Sequence, residues 1–213
     1  RWVSCVSSTS GATSFPATPV SDTVSDTVSD TVSGTGGKEA PDARTRADWR
    51  SIADLVDVVE LDDAAAAREV GPLFRRLFGD ELPDFPRHFV LRYVAGGEAV
   101  PLAYAHFTPW EGCYLGGGMA FDERAYRRLP AGHRARIRVA GGVTEFLLRR
   151  IRAMLADAVA LFGHVGEPRA ERVDLRSGYE RTSHPHVIVC WQRALPPAER
   201  DALLARVAAI GPF

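Results

Sequence analysis

The order in which apolar runs change their period constrains this chain more than any other feature. Asp57 to Leu61 predicts a short strand. Asp62 or Asp63 then offers an N-cap carboxylate, and Val70, Leu73, Phe74, Leu77 and Phe78 recur at helical spacing up to Gly79. His88 to Val94 and Val100 to Thr108 flank the turn residues Ala95-Gly96-Gly97-Glu98 and predict a hairpin. Cys113 to Phe121 predicts a third strand, whose Gly116, Gly117 and Gly118 signal a bulge or a close backbone approach. Asp122 to Leu129 reads as a short helix stopped by Pro130, and Val143 to Leu155 as a long amphipathic one. Val159 to Val165 predicts a strand, and Pro168 to Ser177 a helix with Gly178 just past its end. His186 to Gln192 is apolar on both faces and predicts a central strand; Pro197 to Ile210 predicts a terminal helix. The order β–α–β–β–β–(α)–α–β–α–β–α specifies an α/β fold with a mixed sheet. Antiparallel strands come first, β–α–β–α–β follows, and helices cover both faces.

Residues 47–213 are long enough for one domain with a sizeable core. Residues 1–46 read differently. Ser, Thr, Gly, Pro and Asp dominate them, and Ser-Asp-Thr-Val occurs three times in tandem from Ser21. One small apolar residue in four does not offset chain entropy, so this segment is expected to be a disordered tail, plain or serving as a phosphorylated or partner-binding arm. Net charge is −1, which gives no general affinity for nucleic acid. All but one of the 26 basic residues are arginine. Cys5, Cys113 and Cys190 have no metal-ligand spacing and read as free thiols in a reducing, cytoplasmic compartment. No apolar run reaches the ~18 residues of a membrane span.

Arg134-Ala-Arg-Ile-Arg138 leads through Val139-Ala140 into Gly141-Gly142-Val143, at the start of the long helix. Glycines let backbone N–H groups approach a phosphate, and a helix amino end carries partial positive charge. The element order and the turn Arg138-Val-Ala-Gly141-Gly142-Val143 resemble the GNAT N-acetyltransferase superfamily, over about Val56 to Gln192. In that family Gln/Arg-x-x-Gly-x-Gly/Ala precedes the cofactor helix; Val143 stands at the last fixed position here. The resemblance implies a CoA-dependent N-acyltransferase using acetyl-CoA or another acyl-CoA as substrate, without a metal, and acting on a small amine or similar acceptor. It implies that Gly141, Gly142 and Val143 hold the pyrophosphate through main-chain N–H groups, with Arg136 and Arg138 in support. A non-catalytic ligand- or partner-binding domain on the same scaffold is the alternative, and monomer and homodimer both stay open.

The family often places a general-acid tyrosine four residues before the glycine that here is Gly178. That position is Asp174, which acts only if burial raises its pKa. Tyr179 is the expected proton donor to the departing thiolate, or else a core tyrosine. Glu111 is the expected base, bordering the acceptor cleft, or else a solvated loop carboxylate. His106 shares a strand face with Tyr104 and Thr108 and reads as a base or as a hydrogen-bonded strand histidine. His184, His186 and Cys190 would share a face on one strand, too few ligands for a metal site.

Overall fold

The computed structural model describes residues 49–213, so the expected tail lies outside the described residues. A short 3-10 helix, Trp49–Ile52, precedes the first strand. Strand β1 (Val56–Leu61) leads into α1 (Asp63–Phe78), then β2 (Arg87–Tyr93), β3 (Val100–Trp110) and β4 (Cys113–Phe121). Three consecutive helices follow: α2 (Glu123–Arg128), α3 (Ala131–Val139) and α4 (Val143–Met154). The chain ends with β5 (Ala160–His164), α5 (Pro168–Arg176), a two-residue β6 (Glu180–Arg181), β7 (Val187–Trp191) and α6 (Pro197–Ile210).

Helix boundaries follow local chemistry. Asp62 caps α1 by accepting from the Ala65 N–H at 2.7 Å, and Gly79 ends it in the left-handed conformation at φ 85°. Asp122 caps α2 by accepting from the N–H groups of Arg124 and Ala125, both at 3.0 Å. The arginine stretch expected to lead into the glycine turn is itself helical, as α3. Its buried Ile137 joins the core while the arginines face outward.

The seven strands form one mixed sheet in the order β1-β2-β3-β4-β5-β7-β6. β1 to β4 are antiparallel neighbours, β4 and β5 run parallel, and β5 and β7 are antiparallel. Helices cover both faces. One face carries α1, with Val70, Leu73 and Phe74 against Val90 and Tyr104, and α6, with Leu203 and Val207 against Phe162 and Val189. The other carries α3 and α4, with Ile137, Phe146, Leu147 and Ile151 against Phe89, Leu91 and Phe107. β7 corrects the expectation of a central strand: only β6 lies beyond it. Its two apolar faces arise because α6 covers Val187 and Val189, while Ile188 and Cys190 belong to the core on the opposite face.

The glycine run on β4 is a bulge. His106 faces Gly118 and Phe107 faces Gly116 across the β3–β4 ladder, leaving Gly117 as the extra residue. A Cβ at Gly117 would lie 2.3 Å from the His106 Nε2. Gly117→Ala therefore has to displace a fully packed imidazole, and urea denaturation should show a loss of about 1–3 kcal/mol. Gly132, in α3 with open space around it, is the control: Gly132→Ala should be stabilising by up to ~1 kcal/mol.

Candidate active site

β4 and β5 pair only from Tyr114 to Gly116 and from Leu161 to Gly163. β4 then continues to Phe121 with β3 alone beside it, while β5 stops at His164. Peptide groups on the β5 side of β4 thus lose their strand partner from Gly117 on, and buried peptide groups need partners. A groove of about 660 Å³, counting its open mouth, fills the gap. Its walls come from His106 on β3, the three glycines of β4, His164 at the end of β5 and Val165 after it, Leu148 on α4, and Asp174 and Tyr179. The last paired residues leave no room for side chains: a Cβ at Gly163 would meet Ile188 at 3.1 Å, and one at Gly116 would meet Phe107 at 3.0 Å.

The groove passes between the faces of the sheet. His106 lies on the α1 face, opposite His88 in the ladder and stacked on Phe85 with ring centroids 3.4 Å apart. His106 is 2% exposed, its Nδ1 has no hydrogen-bond partner, and burial, with His88 adding to it, pushes its pKa down to about 3. It is a neutral ring at pH 7. Beside it a hydrogen-bonded chain runs from Asp63 through His88 (3.1 Å) to the Tyr104 hydroxyl (2.8 Å).

Tyr179 belongs to the core on the other face, with α4, and α5 brings Asp174 to the groove near it. Asp174 is 9% exposed, and its carboxyl makes no hydrogen bond or ion pair among the described residues. Burial, then the nearby Glu171, pushes its pKa up to about 7. Tyr179 is buried, and burial, followed by Cys190 and Asp174, holds its hydroxyl well above the usual tyrosine range. The wall therefore presents a carboxyl balanced between its two protonation states near neutrality and a phenol that stays protonated.

The structure brings Tyr179 to the groove and leaves Glu111 out of its lining. Glu111 sits in the tight turn between β3 and β4 at φ 48°, half-exposed and ion-paired with Arg206 of α6 at 3.1 Å. Arg136 is bonded to the Asp54 carboxylate at 2.6 Å and the Ser51 carbonyl at 2.5 Å. Arg138 is exposed in the last turn of α3. Gly141 and Gly142 adopt φ 101° and 90°, as the sharp α3–α4 junction requires. Their N–H groups turn back to the carbonyls of Arg138 (3.1 Å) and Ile137 (2.8 Å), closing α3. Both amides are thus taken up at the α3–α4 junction, and the open donors at the amino end of α4 start at Val143. His186 precedes β7 at φ 66°, so the predicted shared strand face with His184 and Cys190 does not form. Among the described residues no group of three or more His, Cys, Asp or Glu is arranged to hold a metal ion, and no helix is long and apolar enough to cross a membrane.

The amino end of α4 holds one residue that sequence reading missed. Glu145 is 5% exposed and folds back so that a Cβ at Gly141 would lie 2.9–3.0 Å from its carboxyl atoms. Arg149 binds its Oε1 at 2.7 Å and Arg176 of α5 binds its Oε2 at 3.2 Å. The available signal was a lone acidic residue inside the apolar run Val143-Thr-Glu-Phe-Leu-Leu148.

No family model and no curated protein matches the sequence. Solved structures do match by shape. The ribosomal-protein-S18-alanine N-acetyltransferase of Escherichia coli is 13% identical, with 67% of this chain and 97% of that chain covered, at a TM-score of 0.45. A putative N-acetyl transferase of Escherichia coli, YhhK, bound to coenzyme A, is 12% identical over 63% and 98%, at 0.42. The catalytic domain of the Tetrahymena GCN5 histone acetyltransferase in complex with coenzyme A is 10% identical over 67% and 96%, at 0.41.

Asp174 gives the site a pH signature. Its folded pKa of about 7 exceeds the ordinary 3.8, so the folded state binds more protons between these values. Asp174 therefore lowers stability progressively as pH rises from about 4 to about 7. Asp174→Asn should raise the stability at pH 8 by roughly 1–4 kcal/mol, a gain that vanishes below pH 4 in urea titrations. Element order, with antiparallel strands first and a helix beginning at a glycine turn, makes this a mixed α/β fold that is GNAT-like in arrangement.

Proposed function

We propose that the chain transfers an acyl group from acetyl-CoA or another acyl-CoA to an amine, inside the groove between β4 and β5. The observation that carries this reading is the unpartnered carboxyl of Asp174 in the wall of a groove whose other side exposes strand-edge peptide groups. A CoA thioester supplies an activated acyl carbon and a thiolate leaving group. Peptide groups of β4 beyond Gly116 suit an extended, amide-bearing chain, which they can pair with as a missing strand would. At the bulge, Gly117 has no register partner on β3, and close approach of a carbonyl there meets no side chain of its own.

Asp174 serves as the proton donor. As the amine nitrogen bonds to the acyl carbon and the C–S bond breaks, the sulfur takes its proton from the Asp174 carboxyl, and solvent at the open mouth receives the proton lost by nitrogen. A pKa near 7 keeps a large fraction of Asp174 protonated at neutral pH. Tyr179 stands in the same wall as a second, permanently protonated donor. His106, neutral and on the opposite face, adds an uncharged ring to the wall of the groove. In this reading Glu111, tied to Arg206 outside the lining, takes no part as base.

A binding-only module is the second reading, and one observation favours it: the Glu145 carboxylate stands where a diphosphate would lie against the start of α4. Melting with added acyl-CoA tests ligand binding. At a hundredfold excess over Kd the midpoint should rise by roughly 5–10 °C. No shift at millimolar acyl-CoA would reject the acyl-CoA reading altogether. Among amines that support turnover, Asp174→Asn should lower kcat by about 10²–10⁴-fold with acyl-CoA binding retained. Binding without turnover on any amine would decide for the binding-only module.

A further inference from the structure

We infer that the Nε2–H of His106 is the hydrogen-bond donor that holds the acyl carbonyl oxygen as it takes on negative charge. The inference rests on the acyl-CoA reading and assigns one more catalytic residue within it.

The ring is fixed before any substrate arrives. His88 and Gly118 flank His106 in the strand ladders, and Phe85 stacks on its imidazole with the two planes 8° apart. The two ring nitrogens have different surroundings. Nδ1 is fully enclosed and has no hydrogen-bond partner. Nε2 lies over Gly117, the bulged residue of β4, and Gly117 lines the groove. A neutral imidazole carries its proton on one nitrogen and a lone pair on the other. An enclosed N–H without an acceptor is the rarer and costlier arrangement. The assignment that follows leaves the lone pair on Nδ1 and puts the proton on Nε2. With its pKa lowered to about 3 by burial and then by His88, the ring gains no second proton near neutrality. The titratable groups packed beside it are His88 and Tyr104, which bond each other, with Asp63 of α1 on the other nitrogen of His88. His164, Glu167 and Asp174 line the same groove.

This placement matches what acyl transfer asks of a donor. As the amine nitrogen bonds to the acyl carbon, the carbonyl π pair moves onto oxygen. The Nε2–H holds that charge by a hydrogen bond and keeps its proton. The pair returns to the carbonyl as the C–S bond breaks, and the sulfur takes its proton from Asp174. Oxygen and sulfur project from the tetrahedral carbon in different directions, and His106 and Asp174 reach the groove from opposite faces of the sheet. A donor already oriented by stacking needs no reorganisation at the moment of reaction.

Isotope-edited infrared spectra of acetyl-CoA bound to the full chain read this hydrogen bond without turnover. His106→Phe keeps a ring to stack on Phe85 and removes the donor. The thioester carbonyl band should lie at higher frequency in His106→Phe than in the unaltered chain, with acetyl-CoA affinity unchanged. With any amine that supports turnover, kcat should fall by about 10²–10³-fold, and His106→Gln, which restores an N–H donor, should recover part of the loss. An unchanged band or an unchanged kcat in a folded His106→Phe that binds acetyl-CoA overturns the inference and leaves the acyl-CoA reading in place. Failure of the unaltered chain to bind acetyl-CoA overturns both. If His106→Phe does not fold, nitrogen NMR of the histidine-labelled unaltered chain decides. An Nε2–H resonance that moves on addition of acetyl-CoA supports the inference; a proton on Nδ1, or an Nε2–H that does not respond, overturns it.

Discussion

A parallel strand pair that stops after three residues is the constraint on which the rest of the structure depends. Gly116 and Gly163 end the contact between β4 and β5. Phe107 and Ile188 fill the space a side chain would need at Gly116 and Gly163, and the bulge at Gly117 turns β4 over His106. A sheet opened in this way leaves peptide groups without partners inside the protein, a costly arrangement unless a ligand or water satisfies them. The groove is thus a consequence of packing, and its walls are the side chains that packing leaves at its edges.

Those walls have a consistent electrostatic character. His106 is neutral because burial suppresses its protonation, and Asp174 is poised near neutrality because burial suppresses its ionisation. Neither is rescued by a counter-charge, although arginine is abundant. The exposed arginines find carboxylates elsewhere, as Arg136 does with Asp54 and Arg181 with Glu171. The contrast with Glu145 is instructive: it is as buried as Asp174, yet it holds two arginines. Of the two buried carboxyls, one is therefore left without a partner and the other is held by two cations.

Element order apart from α3 and β6, the glycine run of β4, both helix caps of α1 and the span of α6 were legible in the sequence. Each depends on residues close together in the chain: periodic apolar positions, an Asp before a helix, a Gly after it. Three consecutive glycines predicted a bulge or close approach, and His106 is what approaches. Tyr179, singled out by its place after Gly178, lies both in the core and in the groove lining. The reach of Arg136 to Asp54, the ion pair of Glu111 with Arg206, and the turning of the Gly141 and Gly142 amides onto α3 were not legible. Each is set by a partner or a helix end that the local pattern does not specify.

The sequence by itself determined an α/β chain with antiparallel strands first, a helix opening at a glycine pair, and covered sheet faces, because periodicity and capping are local properties of the backbone. Only the tertiary structure decided that β4 and β5 part, that Asp174 is buried without a partner, and that Glu145 sits over Gly141. Burial and pairing depend on residues distant in the chain, and desolvation acts on a carboxyl only once the fold has closed around it.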